Sequence, residues 1–192
     1  MAVKKVPVGL SNRHLHVTKE HLEKLFGPGH ELTEIKALSQ PGQYACEEKV
    51  DIVGPKGTLN GVRILGPVRK ETQVEVLAAD AYKLGLKVPV RDSGDLEGTP
   101  GVKIVGPKGE VDLDYGVIIA ARHIHMHPDD AKVFGVEDFQ RVKVRVEGMR
   151  GLVFENVLIR VSPTYALDMH LDTEEGNAAG VGNGDMVEVI VD

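Results

Sequence analysis

The sequence predicts a mainly β chain folded as two small β-barrel domains, each capped by short helices and related to the other by an internal repeat. Three observations carry this. Short β-branched runs recur along the 192 residues, separated by glycine and proline. The segments RHLHVTKEHLEKLFG, from Arg13, and RHIHMHPDDAKVFG, from Arg122, are two versions of one unit. Local echoes also differ on either side of Arg122. VDIVGPKG from Val50 returns as VKIVGPKG from Val102, whereas FGVEDFQRVKVRV and AGVGNGDMVEVIV share a later theme of glycine, an acidic residue and alternating valines. One barrel is therefore expected over 13–120. The other runs over 121–192 and is joined by the first strand, within 1–12. A single larger barrel with decorated loops is the alternative.

In chain order, strands are expected at 5–10, 49–53, 61–65, 73–76, 102–105, 117–119, 141–146, 153–161 and 186–191. Thr18 is a natural N-cap for a helix over 19–26, and Pro128 with Asp129 and Asp130 opens its counterpart, acidic residues favouring the positive helix end. Two more helices are expected over 78–84 and 173–179. The GPKG loops at Gly54 and Gly106 lack the strand-to-helix context and length of a phosphate-binding loop, and a β-turn with proline in second position explains them better.

Composition limits the function. A hydrophobic content of 42% with 27% charged residues describes an ordinary globular chain, and no apolar run approaches the ~20 residues of a membrane span. The N-terminus lacks the apolar core and cleavage site of a secretory signal. A single cysteine, Cys46, excludes an intrachain disulfide and a cysteine-rich zinc site, which fits a reducing cytoplasm. The net charge of −6, without a basic stripe, argues against nucleic acid as a partner.

Successive side chains of a strand point to opposite faces, so His14 and His16 share one face, and so do His123 and His125. A lone pair of this kind is more often scaffold than ligand; two copies in register favour metal. The repeat reaches further. GVRILGPVRKETQVEV aligns with NVLIRVSPTYALDMHL, and when Pro67 is matched to Pro163 with one residue deleted, Glu75 falls opposite His170. Two ligand sets result: His14, His16 and Glu75, and His123, His125 and His170. Three protein ligands with a fourth position open is the pattern of catalytic zinc.

The chain resembles the phosphate propanoyltransferases, the PduL-type phosphotransacylases, in VPVGLSNRHLH, ALSQPGQYA, GPVRKETQVE, ARHIHMHP and MHLDTEEGNAAG. The resemblance implies two β-barrel domains, the first strand joining the C-terminal one, with two zinc ions per chain close together in an active site between them. It matches the first zinc site to His14, His16 and Glu75 and the second to His123, His125 and His170. It matches the phosphate-contacting arginine to Arg69 and the coenzyme A pocket to Ser11, Lys36, Arg63, Leu65, His170 and Asn177. Acyl-CoA (acetyl- or propanoyl-CoA), phosphate and acyl phosphate are the implied reactants, within propanediol degradation or short-chain fatty acid metabolism. A homodimer and metabolic coupling to an acetate or propionate kinase are implied too. Fewer than a dozen residues precede Ser11, so the N-terminal extension of microcompartment-housed members is not seen, and a cytoplasmic form is expected.

Acyl transfer from coenzyme A to phosphate needs a stabilised thiolate, a phosphate site and charge stabilisation on the thioester oxygen. Zinc favours thiolate and polarises carbonyls, and the planar fork of Arg69 fits phosphate oxygens. Direct phosphate attack is expected, with Cys46 an inert core residue. His127 is expected at helix entry, and His21 and His30 on the surface. A dizinc thioester hydrolase and a non-catalytic metal-binding barrel are the rival readings; HIHMHPDD departs from the His-x-His-x-Asp-His pattern of metallo-β-lactamase-like hydrolases.

Overall fold

The computed structural model describes residues 3–191; Met1, Ala2 and Asp192, which the sequence reading assigned to the C-terminal barrel, lie outside them. The elements are β1 (Lys5–Ser11), β2 (His14–His16), α1 (Lys19–Phe26), β3 (Glu34–Ala37), β4 (Tyr44–Val53), β5 (Thr58–Gly66), β6 (Gln73–Glu75), α2 (Ala78–Leu84), β7 (Val90–Arg91), β8 (Val102–Val105), β9 (Glu110–Leu113), β10 (Val117–Ala120), β11 (His123–Met126), α3 (Pro128–Phe134), β12 (Arg141–Val146), β13 (Leu152–Val161), β14 (Asp168–Asp172), α4 (Thr173–Ala179) and β15 (Met186–Ile190). They form two compact units.

The unit holding the C-terminus comprises 1–12, 39–41 and 121–192. Its strands close into a six-stranded barrel in the order β1-β14-β11-β13-β12-β15. Alternation along each strand sends Val142, Val144 and Val146, or Val187 and Val189, into a core with Ile124, Met126, Ile159 and Met169. Each fully buried aliphatic side chain there contributes roughly 1.5–3 kcal/mol. The stretch 39–41, which the sequence reading placed with 13–120, belongs here. The Gln40 amide donates to the Ala166 carbonyl at 3.0 Å and accepts from the Ala166 N–H at 3.2 Å.

The other unit, residues 13–38 and 42–120, is not a closed barrel. Its nine strands form an open, curled sheet in the order β7-β10-β6-β2-β5-β4-β8-β9, with β3 on β4. One edge strand, β7, has two residues, the kind of short edge that discourages pairing with another chain. The core gathers Leu15, Leu22, Leu25, Ile52, Ile64, Leu84 and Ile104. Strands β3, β7, β9 and β14, of two to five residues, are not among those expected from the sequence.

The GPKG loops have a task beyond turning the chain. The Lys56 N–H donates to the Leu84 carbonyl at 3.0 Å, and the Lys108 N–H to the Leu25 carbonyl at 3.0 Å. Each loop thus satisfies an orphan carbonyl at the end of a helix, α2 or α1. Glycine is required for this approach: a Cβ at Gly106 would lie 2.5 Å from the Leu25 carbonyl oxygen, and one at Gly54 would collide with that of Leu84. No helix among the described residues is long and apolar enough to cross a membrane.

Candidate functional site

The internal repeat is visible in strand register. Strand β2 pairs with β6 antiparallel and β5 parallel, so that His14 lies opposite Glu75 and opposite Arg63. Strand β11 pairs with β14 antiparallel and β13 parallel, so that His123 lies opposite His170 and opposite Leu158. One sequence offset carries Gly61 to Asn156, Arg63 to Leu158 and Glu75 to His170. No residue need be deleted, and Pro67 and Pro163 are one station apart. Gly61, with φ 63°, and Asn156, with φ 57°, both adopt the left-handed conformation that these two residue types tolerate best.

Each unit brings its three expected ligands together. One ligand atom from each of His14, His16 and Glu75 lies within 4.8 Å of the others, and the same holds for His123, His125 and His170. His14 Nε2 is 3.4 Å from Glu75 Oε2. His123 and His125 face each other with their Nε2 atoms 3.0 Å apart.

The donor set fits a zinc ion. His16 Nδ1 meets the Leu65 carbonyl at 3.2 Å, and His123 Nδ1 meets the Ala121 carbonyl at 2.8 Å. A carbonyl can only accept, so Nδ1 carries the proton in both rings and Nε2 keeps its lone pair. The 3.0 Å separation of the facing Nε2 atoms is near the roughly 3.3 Å expected of two ligands 2.0–2.1 Å from a tetrahedral zinc. His125 Nδ1 is buried without a hydrogen-bond partner. Burial, then the His14 and Arg69 charges, push the His16 pKa down to about 3. Burial, His123, His170 and Arg160 push that of His125 down to about 2. Both imidazoles are neutral near pH 7, the form that binds metal.

Arg69 follows Gly66 and Pro67; its backbone N–H donates to the Val17 carbonyl at 2.9 Å, pinning it beside the strand that carries His16. Arg69 is partly buried, and its charge acts on His16. Of the expected coenzyme A residues, Lys36, Arg63 and Leu65 lie on β3 and β5 of the open-sheet unit. Lys36 is exposed, Arg63 donates through Nη1 to the Cys46 carbonyl, and Leu65 supplies the carbonyl that holds His16. Ser11, His170 and Asn177 lie in the barrel unit, where Ser11 pairs with Asp172 and the Asn177 side chain accepts from Arg150 at 3.1 Å.

The remaining histidines are accounted for. His127 is the N-cap of α3, its Nδ1 accepting from the Asp129 N–H at 3.2 Å. His21 and His30, expected on the surface, are instead half-buried and bonded. His21 Nδ1 is 2.7 Å from Thr72 Oγ1; His30 Nε2 is 2.9 Å from Glu48 Oε1, and its ring stacks on Phe26. Their helix-end positions hid tertiary partners distant in sequence. Cys46 is fully buried, and burial with the neighbouring Glu48 charge raises its thiol to about 11.

Four residues that touch or brace these sites carried no role in the sequence reading. Arg13 Nε lies 2.6 Å from Asp80 Oδ2, and Arg122 Nε lies 3.0 Å from Glu175 Oε1. Each acid is the third residue of the helix that follows Glu75 or His170 and accepts from its N-cap N–H, Leu77 or Asp172, at 3.2 Å. The signal was the arginine shared by both tetrads.

Residues 7–182, spanning both triads and Arg69, match the family described as phosphate propanoyltransferase. The chain belongs to that family. It is 60% identical over 184 residues to a phosphate propanoyltransferase of Thermotoga maritima, covering 95% of this chain and 88% of that one. It is 53% identical over 184 residues to one of Salmonella typhimurium, covering 95% and 87%. A phosphate propanoyltransferase of Rhodopseudomonas palustris is 52% identical over 184 residues, covering 96% and 81%.

Proposed function

We propose that this chain is a phosphate acyltransferase that interconverts acyl-CoA and phosphate with acyl phosphate and coenzyme A, using two zinc ions, one at each triad. Membership of the phosphate propanoyltransferase family over residues 7–182 is the observation that carries the reaction class. The donor geometry of the two triads supports the metal. Zinc bound there would supply Lewis-acid polarisation of the thioester carbonyl and stabilisation of the departing thiolate.

The chain's own residues supply the rest. Arg69 offers phosphate a planar fork of donors, and its position beside His16 directs the nucleophile to the metal-binding face. A phosphate oxygen attacks the acyl carbonyl, the carbon–oxygen bond forms, and the carbon–sulfur bond breaks with the electron pair leaving on coenzyme A sulfur. Phosphate is already anionic near neutral pH, so no dedicated base is needed and positioning with electrostatics dominates. A covalent acyl-enzyme on Cys46 is disfavoured by that thiol's burial and raised pKa. Lys36, Arg63 and Leu65 on one unit, and Ser11, His170 and Asn177 on the other, are proposed to contact coenzyme A.

Thiol release from acetyl-CoA and propanoyl-CoA, with and without phosphate, tests the reading on zinc-replete protein. Release that depends on phosphate and yields acyl phosphate supports it. Release at the same rate without phosphate identifies the thioester hydrolase instead. No turnover under either condition leaves the non-catalytic reading.

A further inference from the structure

The third ligand of each triad is braced by the residue two positions before it on the same strand, and the two braces are chemically complementary. In a strand, residues two apart share a face, so Gln73 stands beside Glu75 and Asp168 beside His170. Register puts them at one station of the repeat: Gln73 lies opposite His16 and Asp168 opposite His125. Both are buried, 2% and 5% exposed. The Gln73 amide donates to Glu75 Oε1 at 2.6 Å and to Ser93 Oγ at 2.8 Å, while its oxygen accepts from the Gly94 N–H at 2.9 Å. Held on both sides, it can present only its N–H to the carboxylate. Asp168 Oδ2 lies 3.1 Å from His170 Nε2. Gly9, opposite His170 on β1, leaves the room: a Cβ there would stand 2.7 Å from that same oxygen.

We infer that Gln73 and Asp168 are positioning residues for the two metal sites, and that together they give the sites equal charge. This rests on the metal reading proposed above. In the first site two histidines and a carboxylate are backed by a neutral amide; in the second three histidines are backed by a carboxylate. One negative charge serves each metal, directly bound in the first case and placed behind an imidazole in the second. The Nε2 hydrogen bond to Asp168 fixes the His170 tautomer, so that Nδ1 holds the lone pair, and makes the ring a stronger donor. An acidic residue in place of Gln73 would set two carboxylates side by side, and an amide in place of Asp168 would leave the second site without compensating charge.

Zinc affinity decides the matter, measured on the zinc-loaded chain by competition with a chromophoric chelator and accompanied by thermal melting of the metal-stripped proteins. Asp168→Asn keeps the shape and removes the charge. It should weaken one of two bound zinc ions on the order of 10- to 100-fold, leave the other unchanged and leave the metal-free melt near wild type. Gln73→Leu should weaken the other ion instead. Gly9→Ala, which crowds the Asp168 carboxylate without altering it, should reproduce the Asp168→Asn defect. Two zinc ions held with wild-type affinity in both Asp168→Asn and Gly9→Ala overturn the inference and leave the metal reading standing. A folded wild-type chain that binds no zinc overturns both.

Discussion

The Arg13 guanidinium lies 2.6 Å from the Asp80 carboxylate, tying the residue before His14 to the helix that follows Glu75. Leu77, the N-cap of α2, has no side-chain acceptor to offer, so the Asp80 carboxylate that accepts its N–H also anchors Arg13. Arg122 and Glu175 repeat the arrangement in the other unit. The arginines of the two tetrads therefore brace the segments that carry the two triads.

Replacing Asp80 by alanine removes a buried acceptor from both the helix N-terminus and Arg13. The expected loss is about 1–3 kcal/mol in urea unfolding. Arg13→Ala should cost less, because the Leu77 bond survives and Arg13 is part-exposed. Equal losses for the two variants would assign the stability to the ion pair alone.

Each triad should hold one zinc ion. Metal analysis of protein purified without chelator is expected to find two per chain, with His16→Ala and His125→Ala each retaining one. Complete demetallation should abolish acyl transfer in both directions, and added zinc should restore it. Full zinc occupancy in both variants would remove these histidines from the ligand sets.

Arg69→Ala should slow turnover by on the order of a hundred- to a thousandfold, as for loss of one preorganised electrostatic donor. Arg69→Lys keeps the charge but loses the fork and should also be slow. Zinc content should stay normal in both. Steady-state kinetics with varied phosphate check this: normal turnover with an unchanged phosphate dependence in Arg69→Ala would exclude Arg69 from the reaction.

Cys46→Ser should transfer acyl groups at close to the wild-type rate, since the thiol is buried and protonated near neutral pH. Its measurable effect should be on stability, because a hydroxyl replaces a small apolar group among core side chains. Loss of turnover in a folded, zinc-replete variant would point to an acyl-enzyme.

Glu48 makes the fold sensitive to acid. Burial alone would raise its pKa, but hydrogen bonds to its own backbone, to His30 and to Thr33 outweigh burial and hold it below the usual 4.5. A depressed carboxyl stabilises the folded state above the unfolded pKa, and that contribution is lost as pH falls through the folded value. Urea midpoints should therefore drop between pH 5 and pH 3 more in wild type than in Glu48→Gln. Parallel pH profiles would show that Glu48 contributes nothing to the acid response.

The repeated His-x-His, the convergence of Glu75 and His170 on those pairs, and all four helices were legible because strand alternation, capping residues and duplication are local properties of the chain. The β character was legible for the same reason. Closure as a barrel holds for one unit, which seals into six strands, while the other curls but stays open at β7 and β9, because closure depends on pairing between segments far apart in sequence. Strand β3 is exposed along its whole length, so no apolar alternation marks it, and it becomes a strand because β4 satisfies its backbone groups. His21 and His30 read as surface residues until Thr72 and Glu48 were brought to them. Gln73 and Asp168 sat in plain view two residues before Glu75 and His170. Alternation alone sets each beside its neighbour; what only the tertiary structure supplies is the grip of Ser93 and Gly94 on the Gln73 amide and the room that Gly9 leaves for the Asp168 carboxylate, because these groups arrive from segments distant in sequence.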